Sequence, residues 1–188
     1  MEFREFRLTG SGGQGLILAG IILAEAALLD GKNVVQSQSY GPEARGGASK
    51  AEVIISDRVI NYPKIEKCDL LLALTQKAYD KYIDTLKPNG ILIVDESIKL
   101  NGDVNNNTDI YSIPILTTAN NKLNKPMVAN MIALGCILEI TKVVRAESLQ
   151  KAVLSRVPKG TEELNKRALD EGVKLIREGK GSICYEIC

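Results

Sequence analysis

Phe3-Arg4-Glu5-Phe6-Arg7-Leu8-Thr9-Gly10-Ser11-Gly12-Gly13-Gln14-Gly15-Leu16 is the stretch that decides the fold. Phe3, Phe6 and Leu8 open a first strand that ends at Thr9-Gly10, and the cluster Gly10 to Gly15 follows it. Leu16 to Leu29 then carries apolar residues at helical spacing until Asp30-Gly31 stops the helix. A strand, a glycine turn and a helix in that order form the first unit of a doubly wound sheet, where ligands sit at the carboxyl ends of strands. Glycine lets the backbone approach a phosphate, and the free N–H groups of a helix start favour negative charge.

Gly10-x-Gly12-x-x-Gly15 accordingly matches the dinucleotide pattern. One part of that pattern is missing. A nicotinamide site wants a carboxylate at the end of the second strand, about 20 residues on, to hold the ribose. Here the strand ends Val35-Gln36-Ser37-Gln38, and Asp30 lies before it. Three readings stay open: nicotinamide binding, binding of another phosphate or anion, and plain strand–helix packing. Gln14 places a polar amide at the helix mouth, within reach of a ligand or a neighbouring chain.

Working outward, Asn33 to Gln38 reads as a second strand and Ser39 to Ser49 as an ordered loop. Ala51 to Ser56 and Asp69 to Leu74 are further strands, the latter apolar enough to be buried on both faces. Tyr79, Tyr82, Ile83 and Leu86 space a helix over Gln76 to Leu86, and Lys87-Pro88-Asn89-Gly90 turns it into the strand Ile91 to Val94. Asn101 to Asp109 is a polar loop, and Ile110 to Leu116 returns as a strand. Helices follow over Pro126 to Ile140, Glu147 to Val157 and Glu162 to Glu178, with Pro126 in a first turn and Thr161 as an N-cap. The expectation is an α/β fold: a doubly wound, mostly parallel sheet with helices on both faces and a helical C-terminal third. At 188 residues it forms a single domain over 1–188.

Composition removes several classes of function. There are 24 Lys+Arg against 23 Asp+Glu, a net charge of +1, so nothing electrostatic favours sequence-independent nucleic-acid binding. With no His, a Ser-His-Asp or Cys-His nucleophile and a His-ligated zinc or haem are excluded within the chain. Cys68, Cys136, Cys184 and Cys188 include no Cys-x-x-Cys, so neither a zinc ribbon nor an iron–sulfur cluster is supported. Pairing of Cys184 with Cys188 needs an oxidising compartment, and nothing points to one. Met1 to Arg7 has no apolar signal core, and the uncharged stretch Leu16 to Ala24 is too short to span a bilayer. The expected location is cytoplasmic, with no membrane partner.

Two further stretches carry candidate function. In the loop after the second strand, Gly41, Pro42, Gly46 and Gly47 set an unusual backbone path. Tyr40, Glu43 and Arg45 offer an aromatic face, a carboxylate and a guanidinium there. Either Glu43 and Arg45 brace the turn locally, or the loop meets a ligand or partner subunit with Arg45 as the anion contact. In Lys125 to Cys136, the small residues Ala129, Ala133 and Gly135 permit close helix packing, for the core or for a subunit interface. Asn130 needs a hydrogen-bond partner there if buried. Cys136 reads as a small core residue. No acid–base dyad is evident, and Asp95-Glu96, at a strand end, reads as a cap for the next turn.

Gly-Ser-Gly-Gly-Gln-Gly at 10–15 and Tyr-Gly-Pro-Glu-Ala-Arg-Gly-Gly at 40–47 together resemble the gamma subunit of 2-oxoacid:ferredoxin oxidoreductases. Asn130-Met131-x-Ala133-Leu134-Gly135 and the terminal helical segment are similar too, so the resemblance covers most of the chain. Ser37-Gln38-Ser39-Tyr40 and Ala48-Ser49-Lys50-Ala51-Glu52 look most like the 2-oxoglutarate type, with the pyruvate type as the near alternative.

The resemblance implies a complex that oxidatively decarboxylates a 2-oxoacid to an acyl-CoA and passes electrons to ferredoxin. It assigns thiamine diphosphate, magnesium and iron–sulfur clusters to companion alpha, beta and delta (ferredoxin-like) subunits. This chain would bind no cofactor tightly alone and carry no catalytic residue. Its site would be Gly10, Ser11, Gly12, Gly13, Gln14 and Gly15 with Tyr40, Gly41, Pro42, Glu43, Arg45, Gly46 and Gly47, where coenzyme A is the expected ligand. Deprived of companions, the chain is expected to self-associate. The competing reading is a stand-alone NAD(P)- or nucleotide-binding Rossmann protein.

Overall fold

Strand β4 (Cys68–Ala73) has little surface to give to water: Leu70 and Leu72 enter one core, Leu71 and Ala73 the other. Because successive strand side chains point to opposite faces, an unbroken apolar run is what a doubly covered strand requires. The computed structural model describes residues 3–39, 48–101, 107–179 and 182–183. Within them the chain runs β1 (Phe3–Ser11), α1 (Leu16–Leu29), β2 (Asn33–Ser39), β3 (Ala48–Ser56), β4, α2 (Gln76–Tyr82), β5 (Leu86–Asp95) and β6 (Asp109–Ile113). It continues through α3 (Ile115–Thr117), α4 (Ala129–Thr141), α5 (Ala146–Arg156), α6 (Glu162–Arg177) and β7 (Ser182–Ile183).

The sheet has the order β2-β3-β1-β4-β5-β6-β7. β1, β4, β5 and β6 are parallel, the part expected of a doubly wound sheet. Both flanks are antiparallel: β3 against β1, β2 against β3, and β7 against β6. The sheet is therefore mixed. The cause lies in β2 and β3, which end and begin only nine residues apart, at Ser39 and Ala48; a connection that short joins antiparallel neighbours, whereas a parallel crossover takes a dozen residues or more. β3 thereby inserts between β1 and β2.

Helices cover both faces, as expected. α1, α4, α5 and α6 share a core with Phe6, Leu8, Val53, Leu72 and Ile113 of the sheet. On the other face, Ala78, Tyr79 and Tyr82 of α2 pack against Ile54, Leu71 and Leu92. α1 is apolar along nearly its whole length because it is wedged between the sheet, α4 and α5, and only its end, Leu28 and Leu29, is exposed. None of the helices among the described residues is long and apolar enough to cross a membrane.

Three local expectations are corrected. β3 starts at Ala48, three residues ahead of Ala51. α2 gives way after Tyr82 to a 3-10 turn, Ile83–Thr85, and Lys87-Pro88-Asn89-Gly90 then lies inside β5. Pairing with β4 jumps from Cys68↔Leu86 to Leu70↔Ile91, so the expected turn is a bulge. Asn89 takes a left-handed φ of 62° in it. Lys87 pins the bulge by reaching Glu5 at 2.5 Å and Asp69 at 3.0 Å.

Finally, β6 stops at Ile113, and Ile115, Leu116 and Thr117 are helical. Pro114 follows the last paired residue and has no N–H to extend the ladder. The buried Asp95 caps this junction: one oxygen accepts from the Ser97 N–H (3.1 Å), the other from the Leu116 N–H (2.8 Å).

Candidate functional site

β1 delivers the chain to the carboxyl end of the sheet, and five residues later α1 begins with no room for a conventional cap. Gly15 is the N-cap and has φ 71°, with no side chain bonding to the first turn among the described residues. Gly13 has φ 89°. Both conformations are left-handed, where an L side chain is strained, so these two glycines are demanded by the turn. The first intrahelical bond runs from the Ala19 N–H to the Gly15 carbonyl. That leaves the N–H groups of Leu16, Ile17 and Leu18 without helical partners, and α1 has no acidic residue in its first turn. The mouth of α1 is thus a donor surface with no acidic side chain of its own first turn to compete.

Three contacts brace the turn. The Gln14 side-chain oxygen accepts from the Ser11 N–H at 2.7 Å. The Ser49 hydroxyl on β3 donates to the carbonyls of Gly10 (3.4 Å) and Ser11 (3.3 Å). The Asn130 side-chain amide donates to the Gly15 carbonyl at 3.0 Å, tying the turn to α4. Gly10 is buried beneath, where a Cβ would run into Gln14 and Leu16. The buried Asn130 thus has the partner that its sequence position demanded.

Ser11, Gly12, Gly13 and Gly15 line a cleft of about 580 Å³, closed by Leu16, Ile17, Leu18 and Ile21 of α1 and by Ser39 and Ser49 at the ends of β2 and β3. Its size suits a small-molecule or cofactor arm. One wall is apolar; the other presents backbone amides and hydroxyls. Ser49 and the Ile17/Ile21 wall went unread in the sequence: Ser49 sits in a small-residue run, and the two isoleucines look like ordinary core positions of a helix.

Topology weighs against a nicotinamide site. In a dinucleotide fold the ribose carboxylate closes the strand beside β1. Here β3 holds that place, running the other way, and brings Ser49 alongside Gly10. β2 is one strand further out and ends Gln38-Ser39. Glu52 of β3 is committed elsewhere, held on the α2 side by the Arg7 guanidinium at 2.6 and 2.8 Å. Arg7 is itself buried, donates to the Ile65 carbonyl at 2.8 Å and lies 5.8 Å from the Tyr82 ring centre. Lys50 completes the network at 3.0 Å from Glu52.

A second cleft of about 630 Å³ lies at the opposite end of the sheet, lined by Glu5, Lys64, Glu66, Asp84 and Lys87 among others. Lys87 is already neutralised by Glu5 and Asp69 there, and no glycine is among the described residues that line it. The glycine cleft is the better candidate.

The cysteines are inert packing groups where described. Burial pushes the Cys68 thiol up to about 11 and the Cys136 thiol up to about 12, and they lie in separate cores. Among the described residues, none of the His, Cys, Asp and Glu side chains group in threes to hold a metal ion. Tyr40, Gly41, Pro42, Glu43, Arg45, Gly46 and Gly47, like Cys184 and Cys188, lie outside the described residues.

Comparison with known proteins gives a consistent answer. Residues 5–175 match the family described as pyruvate ferredoxin/flavodoxin oxidoreductase. The chain is 49% identical over 178 residues to the 2-oxoglutarate synthase subunit KorC of Methanocaldococcus jannaschii, covering 93% of this chain and 95% of that one. Among solved structures it is similar to the gamma subunit of a keto/oxoacid ferredoxin oxidoreductase from Geobacter sulfurreducens, with 50% identity, a TM-score of 0.83, and 93% and 96% of the two chains covered. The fold also recurs, at 21% identity and a TM-score of 0.86, in a 2-oxoglutarate:ferredoxin oxidoreductase from Magnetococcus marinus solved with 2-oxoglutarate, coenzyme A and succinyl-CoA bound. All of this chain aligns there with 33% of the longer one.

Proposed function

The chain belongs to the pyruvate ferredoxin/flavodoxin oxidoreductase family, and from that premise we propose that it is the gamma subunit of a 2-oxoglutarate:ferredoxin oxidoreductase. The observation that carries this reading is near-50% identity, end to end, with proteins named as the KorC subunit of 2-oxoglutarate synthase and as a gamma subunit. Residues 1–188 act as one gamma domain, working in the cytoplasm with alpha, beta and delta companions and reaching ferredoxin through them. When bound in those companions, thiamine diphosphate with magnesium supplies decarboxylation, and iron–sulfur clusters carry the electrons away.

What this chain contributes is a binding surface for the acyl acceptor, coenzyme A. The free N–H groups at the start of α1 and the Ser11 hydroxyl hold an anionic phosphate, Ser49 bracing the turn beneath them, while Ile17 and Ile21 shelter an uncharged arm from water. Gly10, Gln14 and Gly15 shape that surface, and by the family resemblance Tyr40, Gly41, Pro42, Glu43, Arg45, Gly46 and Gly47 belong to the same site, with Arg45 as a second anion contact. No residue of this chain is asked to transfer a proton or an electron.

The test has two parts. A pull-down from native extract recovers companion chains in stoichiometric amount, and the recovered complex reduces a viologen dye with 2-oxoglutarate and coenzyme A. Turnover of a 2-oxoacid by the purified single chain overturns the assignment. In the assembled complex, Gly12→Val raises the KM for coenzyme A. An unchanged KM with normal assembly removes the ligand from this cleft.

A further inference from the structure

We propose that Asn130 is a positioning residue for the acyl acceptor, setting the aim of the α1 donor groups from a separate layer of the fold. The inference rests on the reading of the glycine cleft given above and adds a residue to it.

Both ends of the Asn130 amide are engaged. Its oxygen accepts from the Met131 N–H at 3.0 Å, one of the donors that the first turn of α4 leaves free. Its nitrogen donates to the Gly15 carbonyl at 3.0 Å, 115 residues away in sequence. A single buried amide therefore joins the starts of two helices. Oxygen and nitrogen cannot exchange places, because the Met131 side offers a donor and the Gly15 side an acceptor.

The Gly15 carbonyl is the hinge of the site. It belongs to the left-handed N-cap and takes the first helical bond from Ala19, so its direction fixes how the N–H groups of Leu16 to Leu18 point. The other braces of the turn come from within it or from β3. Asn130 ties the turn to α4, and its side-chain nitrogen and carbon occupy the space that a Cβ at position 15 would need. Gly15 and Asn130 thus form one lock: the absent side chain makes room for the amide, and the amide holds the bare carbonyl. Removing the donor frees the peptide at the hinge and costs binding of a ligand that needs several aligned N–H groups at once.

The experiment uses the assembled complex. Asn130→Leu keeps the approximate shape and adds no charge; Asn130→Ser is the milder variant. Assembly is read by size exclusion, and kcat and KM are measured separately for coenzyme A and for 2-oxoglutarate. The expected result is a KM for coenzyme A raised about tenfold, with kcat and the KM for 2-oxoglutarate within about twofold. A purely structural role lowers the melting temperature without splitting the two KM values, and that outcome overturns the proposal. Failure of both variants to assemble, where Gly12→Val assembles, also overturns it, since Asn130 is then a folding residue. If Gly12→Val raises the KM for coenzyme A and neither Asn130 variant does, the cleft stands and Asn130 falls. If none of the three raises it, the cleft reading falls and takes this inference with it.

Discussion

Gly135 of α4 lies against Gly172 of α6 so closely that a methyl group on either would meet the other helix's backbone: the Leu169 carbonyl from Gly135, the Ile132 carbonyl from Gly172. The Cys136 thiol donates to the Gly172 carbonyl at 3.4 Å in the same contact. Backbone does not step aside as a side-chain tip does. Gly135→Ala or Gly172→Ala therefore forces the helices apart, at roughly 2 kcal/mol or more and a fall of about 4–8 °C in Tm for a chain of this size. Thermal unfolding checks it; a Tm within a degree of the parent shows that the helices can shift.

The two left-handed glycines of the turn separate strain from collision. A methyl group on Gly13 (φ 89°) would have nothing within 4 Å, whereas one on Gly15 (φ 71°) would meet Asn130. Gly13→Ala is expected to cost about 1 kcal/mol, from backbone strain alone. Gly15→Ala adds the clash and costs about 2 kcal/mol or more. Urea midpoints rank the pair, and equal losses contradict the packing of Asn130 on Gly15.

Asp30, just past the end of α1, fastens α5. It accepts from the Arg145 N–H at 2.6 Å, from the Arg145 guanidinium at 2.7 Å and from the Ser148 hydroxyl. Burial raises its pKa, but the hydrogen bonds from Ser148 and Arg145 outweigh that and hold it below the usual carboxylate value. A group with a lowered folded pKa stabilises fully above its unfolded value, about 3.9, and loses that contribution as pH falls through the folded value. Asp30→Asn is therefore destabilising at pH 7, and its deficit shrinks toward zero as pH drops below about 3.9. A deficit independent of pH in urea titrations means that the carboxylate's charge plays no part.

Arg7 and Glu52 form a buried ion pair, with one Arg7 nitrogen, Nη1, lacking a partner among the described residues. Arg7→Met leaves the Glu52 carboxylate with Lys50 as its one remaining charged partner among the described residues and is expected to cost roughly 3 kcal/mol. Arg7→Met combined with Glu52→Leu removes both charges and recovers most of that loss. A double-mutant cycle in urea measures the coupling; simple additivity sinks the prediction.

Where the chain's own period carried the information, reading it worked. Leu16 to Leu29 is helical between the bounds that its apolar spacing and Asp30-Gly31 set, and Leu70 to Ala73 is doubly buried as its composition demanded. Lys87-Pro88-Asn89-Gly90 misled because a bulge and a turn use the same residues; only the jump in pairing from Leu86 to Ile91 tells them apart. Ile110 to Leu116 misled because apolar residues continue past Pro114 while the ladder does not. In the site, Gly13 and Gly15 were legible as a turn before a helix. Ser49 was not, since nothing local marks a hydroxyl that will bridge two carbonyls of another strand.

By itself, the sequence determined the order of strands and helices from β1 to β6 and from α4 to α6, though not α3 or the short β7, together with the donor-rich turn after β1 and the absence of imidazole chemistry, because these depend on residue type and short-range spacing. Tertiary structure alone decided that β3 slides between β1 and β2, closing the place a ribose carboxylate would take, and that the Asn130 amide reaches Gly15. Both are pairings between segments far apart along the chain. Strand order and the partner of a buried amide are settled by which surfaces meet when the core closes, and no local pattern encodes that meeting.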